Sequence, residues 1–343
     1  MTTCLSEQTN SNSAMASVSG RSTVTSLDGE SDNNLATAHA HRAKQQVASQ
    51  FSRSSQSYDQ AARIQQFSAL ELVKQLSSFI QPPDSQHSAS QHPASQHPAS
   101  QHPIAQARES GLSHWLDLGC GTGFAVPTLI EQGIQRITGA DLAHGMSVTS
   151  HQKLAQLPFH AVTADAENLP FTSACFDGIY SNLMVQWSEQ VRQLFSEASR
   201  VIKPGGLFAF ATLGPRTMHE LKSAWQQVDP FVHVNSFSSK SQVINDCEQF
   251  FDIESCQQQE VVQHHKNLSS LLKELKAIGA TNVNPGRRQG LGGRERLRKL
   301  DDAYRNVCHS KLGESAREGP TAPSSQLSLT YDLIWVIARK REF

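Results

Sequence analysis

The stretch His114-Trp115-Leu116-Asp117-Leu118-Gly119-Cys120-Gly121-Thr122-Gly123-Phe124 decides how the rest of the chain is read. Its apolar start has the pattern of a buried strand. Its end places glycine at alternate positions, which lets a main chain approach a ligand that a Cβ would keep away. Ala125 to Gln132 then predicts a helix, with Pro127 in the first turn, where a helix tolerates proline. Strand, glycine turn and helix form one unit. It is not the dinucleotide fingerprint G-x-G-x-x-G, because Phe124 stands at the place of the third glycine. Phosphate is a poor ligand for this turn, since Asp117 lies just ahead of it and no lysine follows in phosphate-loop register. An acid at that position suits a cationic or neutral ligand end.

The stretch resembles motif I of the class I S-adenosylmethionine-dependent methyltransferases, whose cofactor carries an amino group of that kind. The following segments extend the pattern. Gln135 to Asp141 reads as a second strand ending in an acid, and Asp141 lies 22 residues beyond Gly119. An acid at the end of a second strand can accept both ribose hydroxyls, with Leu142 beside it. The alternative reading is a surface aspartate that caps the next helix. Phe159 to Phe171 predicts a third strand followed by a loop, in which Asp165 and the Ala166 main chain meet an adenine edge. Cys175 to Asn182 is a fourth strand running to the same edge, and Leu183, Val185 and Trp187 continue into a loop on the sulfonium side. Val191 to Val201 is an amphipathic helix, Lys203-Pro204-Gly205-Gly206 a turn, and Leu207 to Thr212 a fifth strand. Strands alternating with helices predict an α/β fold: a doubly wound, mostly parallel, Rossmann-like sheet with helices on both faces. In such sheets the carboxyl edge holds the ligand.

The flanks are read from composition and period. The chain has 343 residues, and 30 Lys+Arg against 31 Asp+Glu give no pointer to nucleic acid or an anionic membrane. Six scattered cysteines without a C-x-x-C pair predict reduced thiols, a cytoplasmic setting and no metal site. Residues 1–43 are rich in Ser, Thr and Asn and predict a disordered tail. Residues 44–83 predict lid helices: a short one around Lys44 to Phe51, a turn near Ser54 to Ser57, and a longer one from Asp59 to Phe79. Residues 84–105 contain a tandem Ser-Gln-His repeat whose five-residue period with proline matches neither helix nor strand, so they predict a linker. Its histidines have no fixed geometry for a metal. Residues 106–343 form the methyltransferase domain, with a substrate-side insertion at about 215–310. Within and beyond that insertion, Met218 to Val228 and Leu268 to Ile278 read as helices. Phe250 to Glu254 and Glu260 to His264 read as two short strands, and Leu329 to Ala338 as the last strand. Lys311 to Ser325 reads as a loose insertion. Arg287, Arg288, Arg294, Arg296 and Arg298 form a basic cluster, either functional or a solvated helix face.

The flanking motifs are more specific than the core. Phe51-Ser-Arg53 with Ser57-Tyr58-Asp59, Glu220-Leu221 with Ala224-Trp225, His233 with Asn235 and Phe237, Leu275 to Thr281, Gly286-Arg287, and Leu329-Thr330-Tyr331 together resemble the malonyl-acyl carrier protein O-methyltransferases of biotin synthesis. The resemblance covers about Val47 to Lys340. It implies methyl transfer from S-adenosylmethionine to the free carboxyl of a malonyl thioester on acyl carrier protein, without nucleic acid or membrane as a partner. It implies Tyr58 as a lid over the cofactor, where spacing alone reads a packing aromatic, and Arg287 as the cation that holds the acceptor carboxylate. It implies a cofactor site of Asp117, Gly119, Gly121, Gly123, Asp141, Leu142, Asp165, Ala166 and Asn182. Two other readings stand beside it: a different small-molecule methyltransferase, and a methyltransferase-fold assembly factor with different or no catalysis.

Overall fold

A computed structural model describes residues 44–80, 113–278, 293–315 and 326–342. The tail, the Ser-Gln-His repeat and Arg287 lie outside the described residues.

Seven strands form one sheet in the order β3-β2-β1-β4-β5-β7-β6. β1 (His114–Leu118) lies at the centre of the parallel part, between β2 (Arg136–Asp141) and β4 (Phe176–Asn182). β3 (Phe159–Thr163) extends the parallel sheet on one side and β5 (Ile202–Leu213) on the other. The helices α4 (Val126–Glu131), α5 (His144–Lys153) and α6 (Val191–Val201) link successive parallel strands, as a covered parallel sheet requires. Trp115 shows why one strand position must be small. Its ring lies across Gly178 of the neighbouring strand, where an added Cβ would come within 2.6 Å of it.

The N-terminal part comprises α1 (44–54), α2 (Tyr58–Ala61) and α3 (Arg63–Ile80). The single long helix expected from Asp59 is therefore interrupted at Ala62. α3 buries Ile64, Ser68, Ala69, Leu72, Val73 and Leu76, a helical stripe pressed on the sheet. Three sheet side chains hold it there: Tyr180 Oη donates to the Ala69 carbonyl, Asn182 Nδ2 to that of Gln65, and Trp335 Nε1 to that of Ser68. A carbonyl has two lone pairs, so these bonds are compatible with helical ones.

Several expectations differ from the structure. Lys203 to Gly206 is not a separate turn but part of β5. The register against β4 jumps from Phe176↔Ile202 to Gly178↔Leu207, so the extra residues bulge out of a continuous strand. The two short runs near Phe250 and Glu260 are one strand, β6 (Phe251–His265), paired antiparallel to β7 (Leu327–Lys340) along its length. Its middle, Gln257 to Glu260, is exposed and polar because β6 is the sheet edge, and main-chain pairing carries it across the gap in apolar pattern. α8 (Lys240–Cys247) was not expected; Ser239 caps it by accepting from Gln242 N, and Val243 and Cys247 bury its inner side. α10 (Arg294–Ser315) continues into what reads as the start of a loose insertion. α7 (His219–Gln226) and α9 (Leu268–Ala277) lie where the helical periods place them.

Candidate active site

The carboxyl ends of β1, β2 and β4 open into a cavity of about 530 Å³. The three glycines of the turn all have positive φ, at 75°, 52° and 74°, but their surroundings differ. A Cβ on Gly119 would meet Met184 at 2.3 Å, and one on Gly123 would meet Leu154 at 2.4 Å. Those two positions let protein pack against protein. A Cβ on Gly121 would meet nothing within 4 Å, and Gly121 lines the cavity. Gly123 does not line it.

Asp141 ties the floor together. Its Oδ2 accepts from Gly121 N at 2.9 Å and its Oδ1 from Ala143 N at 2.8 Å. Burial pushes its pKa up to about 6, although these two main-chain bonds oppose the shift. Each oxygen keeps a lone pair, and Asp141 and Leu142 both line the cavity. Asp165 and Ala166 form the next part of the wall. Their loop is clamped from behind: the Arg200 guanidinium donates to the carbonyls of Leu169 and Phe171, and Glu197 accepts from Leu169 N. Glu167 is buried, and its Oε1 accepts from Ser188 Oγ and from the main-chain N–H groups of Glu189 and Gln190.

The N-terminal helices roof this cavity. Lys44 donates to Asp165 at 2.8 Å and also to Glu167. Val47, Ala48 and Phe51 of α1 line the cavity beside it. The Phe51 ring meets Trp187 edge-on at 5.3 Å and lies 6.3 Å from the ring of Tyr58. Burial, then the charges of Asp141 and Asp59, raise the Tyr58 phenol above its ordinary range, so it stays neutral. α2 is anchored independently of that ring, because Asp59 accepts from Thr122 at 2.6 Å and from Lys153 at 2.7 Å. Leu183, at the same cavity, has φ 51°, a sparsely populated conformation for a branched residue.

A second cavity of about 60 Å³ lies behind the glycine turn and shares Tyr58, Gly119, Gly121 and Asn182 with the first. Asp117 lines only this smaller space. Burial, with the charge of Asp141 adding to it, pushes its pKa up to about 8.

The basic cluster divides. Arg296 pairs with Asp229, approaches His233 at 3.3 Å, and lies over the Trp225 ring, on which His233 stacks at 3.8 Å. This knot steadies the irregular segment 229–237, which supplies Val232, Asn235 and Ser236 to the cavity wall. Arg294 and Arg298 are exposed. Of the residues that sequence reasoning left out of the site, Lys44, Phe51 and Glu167 are the main ones. Helical spacing and the family-like Phe51-Ser-Arg53 run mark Phe51 without assigning it a place in the site, and no local pattern connects Lys44 to a carboxylate 123 residues away.

A methyltransferase domain model matches residues 116–210. The malonyl-acyl carrier protein O-methyltransferase of Serratia marcescens is 35% identical over 266 residues, covering 76% of this chain and 88% of that protein. This chain belongs to the malonyl-acyl carrier protein O-methyltransferase family. The family member of Hahella chejuensis is 36% identical over 61% of this chain and 75% of its own length. The biotin biosynthesis bifunctional protein BioHC of Teredinibacter turnerae is 42% identical over 59% of this chain, but only 37% of that protein is covered. The chain thus spans less than half the length of the bifunctional family relatives that it matches, at 37%, 38% and 44%. The expected fold class agrees with the seven-stranded sheet and the domain match. Among the described residues, no helix is long and apolar enough to cross a membrane.

Proposed function

We propose that this chain methylates the free carboxyl of a malonyl thioester carried on acyl carrier protein, with S-adenosylmethionine as methyl donor, early in biotin synthesis. The observation that carries the reading is the cavity at the strand ends of a chain that belongs to this family. The residues present fit the cofactor. Gly121 leaves open space where a Cβ would project, Asp141 offers lone pairs for ribose hydroxyls, and Asn182 Oδ1 is a buried acceptor without a partner. Asp165 and Ala166 are assigned to the adenine edge, and Asp117 to the cationic amino end.

S-adenosylmethionine, when bound, supplies an activated methyl group on a sulfonium. The chain's own residues then have little bond-making chemistry to perform. A carboxylate acceptor has an ordinary pKa near 4 and is ionised at neutral pH, so no general base is required. Phe51, Tyr58 and Trp187 exclude water and restrict the approach, which is the larger contribution available here. Arg287 is the assigned partner of the acceptor carboxylate, because a guanidinium fork aligns two oxygens at once.

Mass spectrometry of malonyl-acyl carrier protein after incubation with the chain and cofactor tests the reading. A gain of one methyl mass is expected, and an unchanged mass sinks it.

The raised pKa of Asp117 has a measurable consequence. Below about 8 the free protein holds a proton on this carboxyl, whereas a cationic ligand end favours the ionised form. Binding therefore releases a proton. Affinity should rise with pH between about 6 and 8, by at most about tenfold per pH unit for one proton. Titration calorimetry in two buffers of different ionisation enthalpy reads the release directly. Identical heats and a flat affinity would contradict the role of Asp117.

A further inference from the structure

Lys44, Val47, Ala48 and Phe51 fall at helical spacing, so α1 turns one face to the larger cavity. Both ends of that face are fastened, by different chemistry. Near the C-terminal end, Gly145 N at the start of α5 donates to Ser52 Oγ at 3.1 Å. The two helices approach so closely there that a Cβ on Gly145 would come within 2.8 Å of the Ser52 carbonyl oxygen. At the N-terminal end the fastening is ionic. Lys44 Nζ lies 2.8 Å from Asp165 Oδ2 and 2.5 Å from Glu167 Oε2. Between the two fastenings α1 runs for about 12 Å as a strap over the cavity.

An ion pair on the surface contributes little. This one lies inside: the Lys44 and Glu167 side chains are 18% and 5% exposed. Burial works against the Lys44 charge, but the bonds to Asp165 and Glu167 outweigh it and raise its pKa, so the ammonium persists. Glu167 takes no part in the bond-making described above, yet its carboxylate is buried. Its Oε1 holds Ser188 Oγ and the N–H groups of Glu189 and Gln190, just after Trp187, and its Oε2 holds Lys44. One carboxylate thus joins the strap to the loop that carries Trp187, whose ring meets Phe51 of the same strap. Among the described residues lining the cavity, Lys44 is the only Lys or Arg, so no neighbour there can replace this fastening.

We infer that Lys44 is a positioning residue: by clasping Asp165 and Glu167 it holds α1 closed over the cavity, and so sets how long the cofactor stays bound. The inference rests on the cofactor assignment above and adds to it. Asp165 is the side chain assigned to the adenine edge, and its two oxygens accept from Glu167 N at 3.0 Å and from Lys44. The clasp and the ligand therefore share one carboxylate. Loss of the lysine loosens the strap and the adenine wall together.

Trp187 provides a readout that needs no turnover. Trp115, Trp225 and Trp335 are buried, and Trp187 is the more accessible one of the four tryptophans. Acrylamide quenching of tryptophan fluorescence in the ligand-free chain therefore reports whether Phe51 stays on Trp187. Lys44→Met should raise the quenching, and Lys44→Arg, which keeps the charge, should restore it. In stopped-flow measurements Lys44→Met should release S-adenosylhomocysteine about tenfold faster and bind it at a rate within about threefold, because changes at a contact act mainly on dissociation. Lys44→Arg should again restore the slow release. Unchanged quenching or unchanged release in Lys44→Met, or no recovery in Lys44→Arg, would each overturn the inference. Thermal melts accompany every variant, and Lys44→Gln takes the place of a Lys44→Met chain that does not fold. If neither folds, Lys44 is a structural residue and the inference is overturned. Failure of the unaltered chain to bind S-adenosylhomocysteine would remove the cofactor assignment and the claim on residence time, whereas quenching decides the clasp in either case.

Discussion

Gly121→Val lowers affinity for S-adenosylmethionine by more than about a hundredfold, while most of the folding stability is kept. The expectation follows from where its side chain would go. Gly121 has φ 52°, and its Cβ direction meets nothing within 4 Å, so the isopropyl group enters the cavity. It would also press on the Gly121 N–H bond to Asp141, so that two ligand contacts are disturbed by one change. A branched residue at positive φ costs about 1–3 kcal/mol of strain, which lowers the melting temperature by several degrees. Gly123→Val is the informative contrast. Its Cβ would lie 2.4 Å from Leu154, so the change strikes packed protein rather than open cavity. There the melting temperature should fall steeply, and binding only as far as unfolding dictates. Calorimetry beside thermal melts separates the two. Normal cofactor affinity in a folded Gly121→Val protein would show that the larger cavity is not the cofactor site.

Tyr58→Ala should lose activity by more than about tenfold, and Tyr58→Phe by only a few-fold. The ring lines both cavities and leans on Phe51, which in turn meets Trp187, so it completes an aromatic cover over the place of reaction. Its phenol is held neutral by burial, which excludes a role as base at working pH and leaves cover and hydrogen-bond donation. Stability should change little, because α2 is pinned by Asp59 to Thr122 and Lys153 rather than by the ring. Initial rates at saturating cofactor, with a melt for each variant, give the answer. A Tyr58→Ala protein that unfolds at assay temperature would make Tyr58 a packing residue.

Both variants act on residues that local pattern could reach. The alternation of Gly119, Gly121 and Gly123, the acid that ends β2 and the acid after β3 are short-range features, and each occurs where a strand meets its following turn. The parallel core was legible because five strands and their helices each carry their own period. Legibility failed where another element supplied what the local segment lacked. The polar middle of β6 is a strand only because β7 pairs with it, and Lys203 to Gly206 stay in β5 because the bulge is absorbed against β4. The exposed run of α10 divides into a structural Arg296 and solvated neighbours only once Asp229 and Trp225 come beneath it.

By itself, then, the sequence determined the order of elements, the class of sheet and the edge at which a ligand sits, since period, turn chemistry and strand-end acids are properties of neighbours in the chain. Only the tertiary structure decided which of the three glycines faces open space, that Lys44 closes on Asp165 and Glu167, and that Gln65 and Asn182 line the same small cavity as Asp117. The partners that meet there are far apart in the chain, Lys44 and Asp165 by 121 residues and Gln65 and Asn182 by 117. Their meeting is set by how α3 packs on the sheet, and burial of its apolar stripe, not any motif, sets that packing.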